Sequence, residues 1–118
     1  MTQEQKDLLL KDLCARLPYG VKIQTAYVDA KTLEGIQFPD YIGISDGYYS
    51  LDYMECKPYL FPLSSMTEEQ KREEYKLMNS NFYTATVDLP DFYNKNHIDY
   101  RGLIPIGAAI DATGLNIY

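Results

Sequence analysis

Apolar and polar residues alternate with two different periods along this chain, and each change of period marks a change of element. Leu9, Leu10, Leu13, Cys14 and Leu17 recur at helical spacing, with Gln3, Lys6, Asp7 and Lys11 mostly off that stripe. The pattern predicts an amphipathic helix over 3–16 with one face toward a core, Cys14 included. Thr2 and Gln5 stand at capping-box spacing, and Pro18 and Gly20 close the helix.

From 21 to 57 the period shortens to two. Val21, Ile23, Thr25 and Tyr27 alternate with Lys22, Gln24 and Ala26, and Asp29-Ala30-Lys31 reads as a turn. Further short strands are predicted over 32–38, stopping at Pro39, over 41–45 and over 48–55. Asp46-Gly47 between the last two is the strongest local signal, because both residues tolerate the positive φ that a tight hairpin needs. Four short strands with tight turns predict an antiparallel meander. Pro58 and Pro62 then predict an irregular link over 58–65, laid on the core by its apolar residues.

Helical signals return at 67–79. Thr67 and Gln70 repeat the capping-box spacing, with Ser65 and Glu68 as an overlapping option. Glu68 and Glu69 suit the positive end of the helix dipole, and Glu68 with Arg72 forms an i, i+4 pair. Tyr75, Leu77 and Met78 give this helix only a narrow apolar stripe. Beyond it, Phe82 to Val87 suggests a fifth strand, and Asp88-Leu89-Pro90-Asp91 opens a short helix over 89–96. Leu103 to Ala112 is a closing strand or a short packed helix. The expected architecture is α+β. It is a small curled antiparallel sheet or an SH3-like barrel with two main flanking helices, in one domain over residues 1–118.

Composition leaves that picture intact. With 118 residues and 46% hydrophobic content, the chain can bury roughly two thirds of its unfolded surface without staples. The net charge of −6 is spread evenly, and the densest basic pair, Lys71-Arg72, lies among four glutamates. Non-specific nucleic-acid binding needs clustered cations, so it is not expected. No apolar run has the ~20 residues of a membrane span, and Met1-Thr2-Gln3-Glu4 opens no apolar leader. The expected setting is the cytoplasm, with Cys14 and Cys56 both free thiols.

Candidate chemistry is sparse. His97 is the lone imidazole, so a thiol nucleophile would have to join Cys14 or Cys56 to His97 and Asp99. Lys57 beside Cys56 could lower that thiol's pKa. Two cysteines and one histidine fall short of a structural zinc site, and EF-hand, phosphate-loop and nucleophile-elbow spacings are absent. Asp88 and Asp91 read as helix caps rather than metal ligands. No cofactor and no metal are expected. Nothing in the sequence identifies an active site.

Tyrosine is the unusual feature: twelve Tyr, four Phe and no Trp. Tyr41, Tyr48, Tyr49 and Tyr53 fall on the predicted sheet. They are either half-buried strand residues, an interface, or rings that stack on a base or small ligand. Tyr100 and Arg101 are residue types enriched at binding hot spots. The structural alternative is an Asp99–Arg101 pair bracing a turn that Gly102 completes.

Three blocks carry a resemblance: 11–21 (KDLCARLPYGV), 57–70 (KPYLFPLSSMTEEQ) and 99–104 (DYRGLI). Together they resemble uncharacterised small proteins of gut Bacteroidales and of their phages and mobile elements. The resemblance implies no activity and no site residues. It does imply a shared scaffold with changeable segments, here about 24–55 and 79–97, or simple drift of exposed loops. The expected function is non-catalytic binding of a protein partner, as a phage or mobile-element protein acting on a host protein or defence system. Alternatives are a small-ligand or nucleotide binder using the Tyr-rich sheet face and, more remotely, a Cys-His enzyme.

Overall fold

In a computed structural model, which describes residues 1–45, 47–52 and 55–118, the chain forms helices and two open sheets. Helix α1 spans Gln3–Arg16 and begins at the expected capping box, with Thr2 and Gln5 each satisfying the other's backbone N–H. A single 3-10 turn, Leu17–Tyr19, leads to Gly20 at φ 70° and so into the first strand. The short strands are β1 (Lys22–Gln24), β2 (Lys31–Thr32), β3 (Gly35–Gln37), β4 (Tyr41–Ile44) and β5 (Gly47–Ser50). Then follow β6 (Lys57–Pro62), helices α2 (Glu68–Met78) and α3 (Leu89–Lys95), and strands β7 (Ile98–Asp99) and β8 (Ile110–Asp111).

Among the described residues the strands do not form one meander, and they do not close into a barrel of the expected SH3-like kind. The predicted 32–38 strand divides in the middle. Leu33 donates its N–H to Val21 in one sheet, and the next residue, Glu34, donates to Gly43 in the other. Consecutive amides point to opposite sides of a strand, so one residue step carries the chain from sheet to sheet. The β3-β4-β5 sheet is antiparallel, and Ile44 pairs with Gly47. Gly47, expected in the turn, is already paired in the strand, and Asp46 lies outside the described residues.

The second sheet is built on β6, the segment expected to be a link. β6 pairs with β1 antiparallel and with β7 and β8 in parallel, which makes this sheet mixed. The prolines fit because each sits near an end of the strand. Pro58 stands opposite Ile23, and without an N–H it holds that register as a non-hydrogen-bonded rung, where the missing donor costs nothing. Between the prolines, Tyr59 and Leu60 are buried and Phe61 donates to the His97 carbonyl.

The fifth strand is also absent: 82–88 is helical, with Thr84–Asp88 as a π-helical turn running into α3. β-branched and aromatic residues favour strands here, but Asn81 Oδ1 accepts from the Thr84 N–H and starts a helix instead. Thr86 donates its hydroxyl back to the Phe82 carbonyl. Helix α2 has its Thr67–Gln70 capping box, and Glu68 pairs with Lys71 rather than Arg72. Asp88 stands at the start of α3 without a side-chain capping bond. The 103–112 stretch is mostly turns, with only β8 as strand.

The core gathers Leu9, Leu13, Val21, Ile23, Leu33, Ile42, Leu51, Leu60 and Leu103 from both sheets and α1. Among the described residues, no helix is long and apolar enough to cross a membrane.

Candidate functional site

Three groups of residues bear on function: the outer face of the β3-β4-β5 sheet, a buried polar seam under α1, and an exposed helical corner.

On the first sheet, register decides where each tyrosine goes. Tyr41 and Gly43 point one way and the buried Ile42 and Ile44 the other. Tyr48 pairs with Gly43 and shares the outer face with Tyr41, whereas Tyr49 pairs with Ile42 and packs on the core. The four predicted ring positions therefore do not form one surface, and Tyr53 lies outside the described residues. Tyr48 lies across a glycine stripe: a Cβ added at Gly43 would meet its Cε1 at 3.0 Å, and one at Gly35 its hydroxyl at 3.5 Å. One face of that ring is thus covered by glycine backbone, while Tyr48 as a residue stays exposed.

Tyr100 and Arg101 turn inward. Arg101 Nε donates to Asp12 Oδ1 at 3.1 Å, and its Nη2 donates to the Tyr100 hydroxyl at 2.7 Å. Its guanidinium lies 4.8 Å from the Tyr100 ring centre, and the other face of the network holds Tyr93, stacked on Tyr100 at 4.9 Å. Asp12 Oδ2 accepts from Arg16 Nε at 2.7 Å, and Arg16 Nη2 donates to the Ile98 carbonyl. Asp12 and Arg16 are both completely buried. One carboxylate thus joins two guanidiniums, a pairing that must offset a large desolvation cost. Asp99 pairs with neither arginine. It accepts the N–H groups of Leu103 and Ile104, bracing the turn at Gly102 (φ 76°). The expected turn is present, but the expected Asp99–Arg101 pair is replaced by Arg101–Asp12.

The Cys-His arrangement does not assemble. Cys14 is exposed rather than buried, because the inward face of α1 carries Leu9, Asp12, Leu13 and Arg16. Cys56 is buried, and that burial pushes its thiol up to about 12 in spite of Lys57. The His97 carbonyl is bonded to Phe61, five positions along β6 from Cys56. At about 3.3 Å per extended residue, Cys56 and Phe61 are roughly 16 Å apart along the chain. His97 stacks flat on Tyr118, ring centres 3.8 Å apart. Burial, with the nearby charges of Arg16 and Lys22, lowers its pKa to about 4, so it is neutral at pH 7. Among the described residues, no three His, Cys, Asp or Glu side chains gather as metal ligands.

The helical corner was not expected from the sequence. Tyr75 and Met78 near the end of α2, and Phe82, Tyr83 and Val87 in the next helical segment, are all exposed, Phe82 by 85%. Phe82 and Tyr83 stand one turn from Thr86 and Val87, so these rings follow one side of the second segment. The available signal was the aromatic pair itself, but it reads as a strand until the helix is known. An open cleft of about 690 Å³ lies between α2 and α3. Glu69, Glu73, Asp88 and Asp91 line it against a single cation, Lys95.

These features define a small mixed α+β protein with charge sequestered inside and aromatic surface outside. Comparison with protein-family models, with curated proteins and with solved structures finds no match to this chain.

Proposed function

We propose that this protein is a non-catalytic binding module that docks a protein partner on the α2–α3 corner. The observation that carries the reading is the exposure of Tyr75, Met78, Phe82, Tyr83 and Val87 over two adjoining segments. Large apolar side chains grouped on a surface lose hydrating water when a partner covers them, and aromatic anchors dominate such contacts. The acidic cleft on another face of α2, lined by none of these five side chains, favours a partner that adds lysine or arginine to its apolar patch, whereas Tyr75 itself lies among Lys71, Arg72 and Lys76. The burial of Cys56 and its distance along the strand from the rung that meets His97 support a role without covalent catalysis. In the mobile-element setting implied by the resemblance, the partner is a cytoplasmic host protein. A ring-stacking ligand site is the second reading; Tyr41 and Tyr48 on one face favour it, and the seat of Tyr48 on Gly43 weighs against it.

The test is capture from the native host with the full chain and with Phe82→Ser/Tyr83→Ser. The expected result is one stoichiometric partner, lost with the double variant and weakened by salt. A partner captured equally by both proteins, or none in repeated captures, would refute the reading.

A further inference from the structure

The seam between β1 and β6 contains a hydroxyl that does not belong to either strand. Ile23 pairs with Pro58 and Gln24 with Lys57, so the same antiparallel register carries Lys22 toward Tyr59. That rung is not closed by a direct bond from the Lys22 N–H to the Tyr59 carbonyl. Instead the Lys22 N–H donates to the Tyr118 hydroxyl at 2.8 Å, and the Tyr118 hydroxyl donates to the Tyr59 carbonyl at 2.7 Å. Its donor and its acceptor functions are both used, one on each strand. The ring behind the hydroxyl lies flat on His97 and tilts against Phe61 at 5.8 Å. His97 stays neutral there, which keeps it a stacking partner rather than a cation. The wall of this slot is thus a neutral ring, an aromatic edge and two backbone groups spaced for one phenol.

The segment that delivers Tyr118 is otherwise lightly held. Thr113, Gly114, Leu115 and Asn116 are exposed, and Asn116 turns at φ 54°, an uncommon conformation for a residue with a side chain. Tyr118 as a residue is 43% exposed, although its ring and hydroxyl are packed and bonded. A single anchoring side chain on an exposed segment is a contact that a competitor can replace.

We infer that the seam between β1 and β6 is a tyrosine-recognition slot, filled in cis by Tyr118 and open in trans to a tyrosine side chain of a partner peptide. Specificity for tyrosine over phenylalanine follows from the bridging hydroxyl: without it, two backbone groups lose their partner. This inference is independent of the helical corner, and either can fail without the other.

The experiment uses the full chain carrying Tyr118→Ala, with p-cresol as the probe and toluene as its hydroxyl-free control. The variant should melt lower than the parent. p-Cresol should raise its melting temperature and shift the Lys22 amide and His97 ring resonances, and it should leave the parent nearly unmoved. Toluene should bind roughly 30-fold more weakly, the loss of both hydrogen bonds of the hydroxyl. An unresponsive variant, or equal rescue by toluene, overturns the inference. Where Tyr118→Ala does not fold alone, folding induced by p-cresol supports the slot and continued unfolding in its presence rejects it. Tyr118→Phe supplies the second measurement. Hydrogen exchange of the Lys22 amide should accelerate, and unchanged exchange would show that the bridge is dispensable.

Discussion

The seam under α1 and the corner between α2 and α3 invert each other. In the seam, Asp12, Arg16 and Arg101 bring three formal charges into the interior, with Asp12 and Arg16 wholly shielded from solvent. At the corner, Phe82, Tyr83 and Tyr75 place apolar rings in water. Each arrangement is unfavourable by itself. The seam offsets most of its cost internally: each carboxylate oxygen of Asp12 meets a guanidinium and Arg16 also reaches the Ile98 carbonyl, while Arg16 Nη1 is left buried without a hydrogen-bond partner. Among the described residues the corner has no such compensation. Unusual polarity that is compensated points to architecture, and unusual polarity that is not compensated points to a partner.

The comparison breaks most visibly at Asp12. Asp12→Ala leaves Arg16 buried without a counter-charge and frees Arg101, so it should lower the unfolding free energy by about 3–5 kcal/mol. Chemical denaturation followed by circular dichroism measures this directly. Adding Arg16→Met to that variant should recover part of the loss, because the stranded charge is then gone. Equal or additive losses would mean that Asp12 and Arg16 do not depend on each other.

A smaller effect is expected from pH. His97 is neutral in the folded chain because burial, then Arg16 and Lys22, depress its pKa from 6.5 to about 4. Between those values the unfolded chain takes up a proton that the folded chain refuses, so stability falls as pH drops from about 6.5 toward 4. Above that window the contribution is constant. His97 is only half-buried, and solvent screening reduces the effect to about 1 kcal/mol. It is the lone histidine, so denaturation midpoints at pH 7 and 5.5 isolate it above most carboxylate titration. His97→Phe should flatten the slope and keep a ring against Tyr118.

The seam and the corner also differ in how far the sequence disclosed them. Local signals carried the capped starts of α1 and α2 and the hairpin between β4 and β5, because each depends on residues a few positions apart. They failed where tertiary pairing decides. Two prolines concealed β6, since only the partner strands show which rungs need an N–H. Strand-forming residues at 82–87 yielded to the Asn81 cap. On α1, hydropathy alone selected Leu9, Leu10, Leu13, Cys14 and Leu17, and so turned the helix by about one residue. The inward positions are Leu9, Asp12, Leu13 and Arg16, spaced i, i+3, i+4 and i+7. An acid and a base four apart on a leucine face were the available clue, and they read as solvent residues only while charge is assumed to lie outside. Tyr100 and Arg101 stood out as a polar cluster, but nothing local shows that Arg101 reaches back to Asp12.

The smallest change in stability should come from the corner. In Phe82→Ser/Tyr83→Ser both rings are already largely hydrated in the folded chain, so truncation removes little burial. The unfolding free energy should stay within about 0.5 kcal/mol of the parent, the usual range for exposed positions. The Asn81 cap, which uses a backbone N–H of Thr84, is untouched by either substitution. A near-zero change here beside a loss of several kcal/mol at Asp12 is the contrast that separates a surface kept for a partner from a network kept for the fold. A loss at the corner above about 2 kcal/mol would place those rings in the core's energetics.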